Sequence, residues 1–180
     1  MKLDNLFAKS APTFDEPIEM LKACHERIAS QCATLEKLVA HLPSHGSDVQ
    51  AQQAAKNILR YFNVAGPHHH ADEEQDLFPL LIEIGERLHS PLRERIAGLL
   101  DEHRTLEAAW AQLRVVLADI AEGKSVPLGE DLVAGFVGAY RSHRAQEERE
   151  ILPFAEAHLD LQQRARLSKT MVARRTVSPQ

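Results

Sequence analysis

Two cysteines, Cys24 and Cys32, are all that the 180 residues contain. Eight positions apart on one predicted helix, they stand about 12 Å from each other along its axis, beyond disulfide reach. A disulfide framework and a thiolate metal cluster are therefore excluded. Positive charge is also scarce: 21 Lys and Arg face 26 Asp and Glu, a formal charge of -5. No broad basic field is available to hold nucleic acid or an anionic membrane. Charged residues interrupt every apolar stretch before the ~20 residues that a membrane span needs. Asp4 stands where a secretory leader would be basic and then apolar. These shortages predict a cytoplasmic protein with neither nucleic-acid nor membrane partners. Serine-nucleophile and phosphate-loop chemistry lack footing too, for there is no Gly-x-Ser-x-Gly turn and no phosphate-binding glycine loop.

Aromatic residues make up 5% of the chain, and no stretch sustains the alternation of a half-buried strand. Ala, Leu, Glu, Gln and Arg dominate, which favours helix throughout. Breaks at Pro43 to Gly46, Ser90-Pro91 and Gly123 to Gly129 predict helices over 14–42, 48–88, 92–122 and 130–157, with a short amphipathic segment at 160–174. Thr13 with Glu16 and Ser47 with Gln50 fit capping boxes, and Ser90-Pro91 fits an N-cap followed by proline. Arg174 and Arg175 suit a helix C-terminus. Short connections make neighbours antiparallel. The expected fold is all-α, an up-down-up-down four-helix bundle with a short C-terminal helix. It forms one domain over 1–180, its bundle core at about 14–157 and a helical tail at 158–180 that folds across one end and leaves Ser178-Pro179-Gln180 flexible.

Histidine is what the chain has in excess: ten residues, three of them consecutive at His68, His69 and His70. In the first helix Ile18, Leu21, His25, Ile28, Cys32, Leu35, Val39 and Leu42 alternate steps of three and four, one inward stripe. Adding 78 to each number gives Ile96, Leu99, His103, Leu106, Trp110, Leu113, Leu117 and Ile120, with one histidine at the same register. An offset of 74 pairs Ile58, Phe62, His69, Glu73, Leu77 and Leu80 with Leu132, Phe136, His143, Glu147, Ile151 and Phe154. The chain is two diverged helix pairs. Each half points one histidine inward from its first helix and one His-x-x-x-Glu pair, one turn apart on a single face, from its second.

Carboxylates buried among Leu, Ile and Phe cost several kcal/mol each when unpaired, and the inward stripes offer no Lys or Arg. A cation supplies the missing charge, and imidazole with carboxylate suits non-haem iron, manganese or zinc. Two metals bridged by Glu73 and Glu147 is the economical arrangement. It gives each about four protein donors and leaves open positions for dioxygen, nitric oxide or peroxide. A ferritin-like oxidase needs two Glu-x-x-His motifs, and only Glu86 to His89 fits. The competing reading is a helical interaction module whose histidines are structural or hold a single zinc; it predicts unchanged stability after chelation.

With His25, the run HHHADEEQDLFP, the stretch DEHRTLE and the run HRAQEEREILP, the chain resembles the hemerythrin-like HHE cation-binding family over roughly residues 14–157. The resemblance implies a non-haem di-iron centre in a family that carries oxygen, senses oxygen or nitric oxide, or responds to iron. It carries the ligand roles to His25, His69, Glu73, His103, His143 and Glu147, with both glutamates bridging. Glu107 stands where oxygen carriers of the family place a further histidine, which moves weight from reversible oxygen carriage to redox or sensing. Glu148 competes with Glu147 as the ligand of the fourth helix, and the internal repeat favours Glu147. His70 with Glu74 repeats the four-residue spacing about 100° around the helix. Its counterpart is Arg144, which favours a solvated role for His70. Gly66-Pro67 reads either as a kink beside the metals or as a break between two helices. Cys24 is read as structural.

Overall fold

The computed structural model describes residues 13–176, so Asp4 and Ser178-Pro179-Gln180 lie outside the described residues. Five helical rods account for most of them: α1 (Pro17–His45), α2 (residues 49–87), α3 (Leu92–Ala121), α4 (residues 130–158) and α5 (Leu161–Thr176). No strand is present among the described residues, and no helix there is long and apolar enough to cross a membrane.

The helix starts depart from the predicted caps. Thr13 and Glu16 form a turn ahead of α1, in which the Glu16 N–H donates to the Thr13 carbonyl at 3.0 Å. α1 itself begins on Pro17, whose missing N–H costs nothing there. Asp48, not Ser47, caps α2, its carboxylate accepting from the Ala51 N–H at 2.8 Å. The Ser47 hydroxyl instead donates to the Lys124 carbonyl at 2.6 Å and ties two inter-helix turns together. α3 starts at Leu92, where its predicted range begins, but with Pro91 rather than Ser90 as its N-cap. At the end of α1, Gly46 takes φ 61 while its N–H closes on the Leu42 carbonyl, a left-handed position suited to glycine.

The first four rods pack around a square: α1 on α2 and α4, α3 on α2 and α4. The predicted stripes form the interior, although Val39, Leu42, Leu80, Trp110, Leu132 and Phe154 sit only half-buried at its margin. The apolar interior divides into two clusters. One gathers Ile28, Leu35, Ile58, Phe62, Leu113, Leu117 and Phe136 at one end of the bundle. The other gathers Leu21, Leu77, Leu81, Ile96, Leu99, Ile151 and Ala155 at the opposite end. α5 closes that second end with Leu167 and Met171, where the tail is expected to fold.

α2 and α4 are not uniform. Wide π turns interrupt α2 at Tyr61–Ala65 and Asp72–Leu77, and α4 at Glu147–Ile151. Gly66-Pro67 is thus not a break between two helices: the helix runs on, and the Gly66 N–H reaches five residues back to the Tyr61 carbonyl.

Candidate metal centre

Between the two apolar clusters lies a buried polar layer. α1 brings His25 to it, α2 brings His69 and Glu73, α3 brings His103, and α4 brings His143 and Glu147. All six residues are at most 2% exposed. Their donor atoms form two overlapping groups, each held within 4.8 Å: His25, His69, Glu73 and Glu147 on one side, His103, His143, Glu73 and Glu147 on the other. Glu73 and Glu147 are common to both. The offset of 78 places His25 and His103 opposite each other in this layer, and the offset of 74 does the same for the two His-x-x-x-Glu pairs.

All four imidazoles turn Nε2 toward the carboxylates. His25 Nε2 stands 3.1 Å from Glu147 and 3.9 Å from Glu73, while His69 Nε2 is 3.4 Å from Glu73. His143 Nε2 lies 3.4 Å from Glu147, and His103 Nε2 lies 3.7 Å from Glu73. His103 and His143 face each other at 2.9 Å through their Nε2 atoms. Three of the outer nitrogens are anchored by half-exposed carboxylates: Nδ1 of His25 on Glu148 at 3.1 Å, of His103 on Glu74 at 2.6 Å, and of His143 on Glu102 at 2.8 Å. An Nδ1–H given to a carboxylate leaves Nε2 as the inward donor, the arrangement by which proteins orient imidazole toward a metal.

The layer fits a cation by a direct test. Both oxygens of Glu73 and both oxygens of Glu147 are buried without a hydrogen-bond partner, as is His25 Nε2. Buried carboxylate oxygens in that condition are costly unless positive charge stands between them. Without a cation the cluster balances its charge with protons. Burial and then the charge of Glu147 push Glu73 up to about 8. Burial works the same way on Glu147, but His143 and His25 hold it below the usual carboxylate range. Burial opposes a proton on His25, yet Glu147 and Glu73 outweigh it and push the imidazole up to about 10. His143 rises to about 9 for the same reasons. His69 is driven well below its ordinary value by burial and by His25, and His103 falls to about 4 by burial and by His143.

The residues left open by the spacing argument separate clearly. Glu148 falls outside both groups and serves as the anchor of His25. His70 is not solvated: it is 5% exposed and stacks flat on His103 with ring centroids 3.9 Å apart. The solvated role fails because the π turns rotate this face of α2 inward. Nε2 of His70 shares a hydrogen bond of 3.5 Å with the Tyr140 hydroxyl, and burial followed by the charge of His103 pushes His70 down to about 3. Glu107 lies outside both groups and, with His70, Trp110 and Tyr140, borders a cavity of about 40 Å³. Cys24 is buried, and burial raises its thiol, as a structural residue requires. The anchors Glu74, Glu102 and Glu148 were not singled out as orienting groups. Each stands next in the chain to a residue of the layer, Glu74 to Glu73, Glu148 to Glu147 and Glu102 to His103, and in one dimension such a carboxylate is indistinguishable from a surface charge.

A model of the hemerythrin HHE cation-binding domain matches residues 16–155. A protein of Haemophilus influenzae, described only as uncharacterized, is 35% identical over 136 residues, covering 76% of this chain and 77% of its own. The matched region runs through all four bundle helices to within three residues of the end of α4 and includes the six residues of the buried layer. By that match and by the paired His and Glu at its centre, the chain belongs to the hemerythrin family of HHE cation-binding domains.

Proposed function

We propose that the six buried residues hold a non-haem di-iron centre that binds or reacts with a small ligand, dioxygen, nitric oxide or peroxide, in a redox, oxygen or iron response. The observation that carries this reading is the pair of overlapping four-residue groups sharing Glu73 and Glu147, whose four carboxylate oxygens are buried without partners. Two sites that share two carboxylates suit a bridged metal pair better than one ion. An all-imidazole and carboxylate donor set suits iron, with manganese or zinc as the competing metals.

His25 and His69 would hold one metal, His103 and His143 the other, and Glu73 and Glu147 would bridge. The bound metals would supply redox chemistry and open coordination positions for the ligand. The chain does the rest. Glu148, Glu74 and Glu102 fix three imidazoles, the apolar clusters on both sides exclude water, and His25, His143 and Glu73 release protons as positive charge arrives.

Elemental analysis of protein from iron-grown cells tests this. About two irons per chain, lost in the Glu73→Ala, Glu147→Ala double variant, are expected, and azide or nitric oxide then perturbs the iron absorption. Absence of bound metal, or a single zinc that the double variant retains, would leave a helical interaction module and defeat the reading.

A further inference from the structure

Three prolines stand inside the rods of α2 and α4 away from their ends, each one residue beyond a π turn. The N–H of the residue before each proline donates five residues back: Gly66 to Tyr61, Phe78 to Glu73, Leu152 to Glu147. The internal repeat supplies a comparison. Pro79 and Pro153 are equivalent under the offset of 74, and both follow a π turn. Pro67 has Arg141 as its counterpart, and there the helix stays α from Glu130 to Gln146. Pro43, near the last turn of α1, needs no such widening because the helix is ending.

The reason is steric and electrostatic. In α register Pro79 would offer no N–H to the Gln75 carbonyl and would press its ring against that carbonyl, and Pro153 would do the same at Arg149. A π turn directs those carbonyls elsewhere. Both of these turns carry a glutamate of the buried layer, and the Glu73 and Glu147 carbonyls accept their wide hydrogen bonds.

The wide turn also decides which way the carboxylates face. Interior positions run in steps of four: His69, Glu73, Leu77 and Leu81 in α2, His143, Glu147, Ile151 and Ala155 in α4. In a regular α-helix each such step drifts about 40°, so three of them turn the face by about 120°. One residue accommodated in a π turn removes about 100° of that drift. His-Glu pairs and the apolar residues beyond them then share one face.

We propose that Pro79 and Pro153 are positioning residues of the metal centre: each fixes the π turn whose wide hydrogen bond ends on the Glu73 or Glu147 carbonyl and thereby aims that residue's carboxylate into the buried layer. The metal half of this statement rests on the di-metal reading above; the backbone half does not. Neither proline belongs to the six-residue cluster.

The test uses Pro79→Ala and Pro153→Ala, each alone, so that each half of the bundle reports separately. Through-hydrogen-bond NMR couplings on metal-free protein identify the acceptor of the Phe78 and Leu152 N–H groups. In the wild type these are Glu73 and Glu147; in the variants they are expected to move to Glu74 and Glu148. Cobalt(II) titration is then expected to show binding weakened about tenfold or more in each variant, with a changed visible band. Couplings that remain on Glu73 and Glu147, or variants with wild-type cobalt affinity and spectrum, overturn the proposal. Wild-type protein that takes no cobalt defeats the di-metal reading and with it the metal half, while the couplings still decide whether the prolines fix the turns.

Discussion

Three of the four imidazoles of the buried layer are held from behind by carboxylates that are half in water. Glu74 anchors His103 and Glu102 anchors His143. Replacing Glu74 by Gln keeps a hydrogen-bond acceptor but removes the charge that makes His103 a stronger donor. It is expected to weaken metal binding about tenfold to a hundredfold, measured by competition with a chelator of known affinity. Wild-type affinity would show that Glu74 is only a surface charge. His70 makes the opposite case. It touches His103 by stacking and Tyr140 by a hydrogen bond, but belongs to neither donor group. His70→Phe is expected to keep full metal content while leaving the Tyr140 hydroxyl buried and unpaired, at a cost of about 1–3 kcal/mol in chemical denaturation. Adding Tyr140→Phe is expected to recover most of that loss, and metal lost from the single variant would make His70 a ligand.

Among the helices, α5 is the most dependent on charge for its place. It buries only Leu167 and Met171 and otherwise docks through arginines, Arg164 on the Glu156 carbonyl of α4 at 2.6 Å and Arg174 and Arg175 on α2. Arg174 pairs with Asp72 and Asp76, and Arg175 pairs with Asp72 at 2.6 Å. Asp72 is 0% exposed and sits beside Glu73 in the same π turn. The predicted role of these arginines, completing a helix C-terminus, is thus joined by a longer-range one. An asymmetry follows from burial: Asp72 has no access to water, whereas both arginines keep some. Removing both with Arg174→Ala, Arg175→Ala strands a buried carboxylate and is expected to cost about 3 kcal/mol and to open α5 to proteolysis. Asp72→Asn leaves the arginines free to turn outward and is expected to cost less. Equal urea midpoints for the two variants would contradict this. Sequence could place α5 and its charges, but not the pairing, because Asp72 and Arg174 are 102 positions apart and nothing local links them.

Taken together, the titrating groups give the protein opposite pH responses with and without metal. His25 and His143 are raised above their ordinary value of 6.5, and Glu73 is raised to about 8. Groups raised in the fold stabilise it at low pH and lose that contribution as pH rises through their folded values. His69, His70 and His103 are lowered, so their contribution is present above 6.5 and lost below it. The metal-free chain is therefore most stable near pH 6.5 and weakens toward about pH 9 to 10. A bound cation needs those same protons gone, so metal-loaded protein is expected to gain stability over that interval. Urea midpoints at pH 6.5 and pH 9, with chelator and with anaerobic iron(II), check the crossing. Parallel curves would mean that the cluster does not load.

Much of this protein is determined by periodicity alone. A stripe in steps of three and four, interrupted by histidine at matching register in two halves, specifies four antiparallel helices and one buried polar layer. Apolar faces must be buried, and buried carboxylates must be compensated. The six residues His25, His69, Glu73, His103, His143 and Glu147 converge because those two demands have the same solution. Tertiary structure decided what a one-dimensional pattern leaves degenerate. Glu147 and Glu148 are adjacent in the chain, and only packing against α1 sends one into the layer and the other to the back of His25. Leu81 and Ala155 replace Leu80 and Phe154 as the deeply buried residues because a π turn shifts the face by one position. Its local cue, proline after a four-residue stride, acquires meaning only once neighbouring helices require the face to stay aligned.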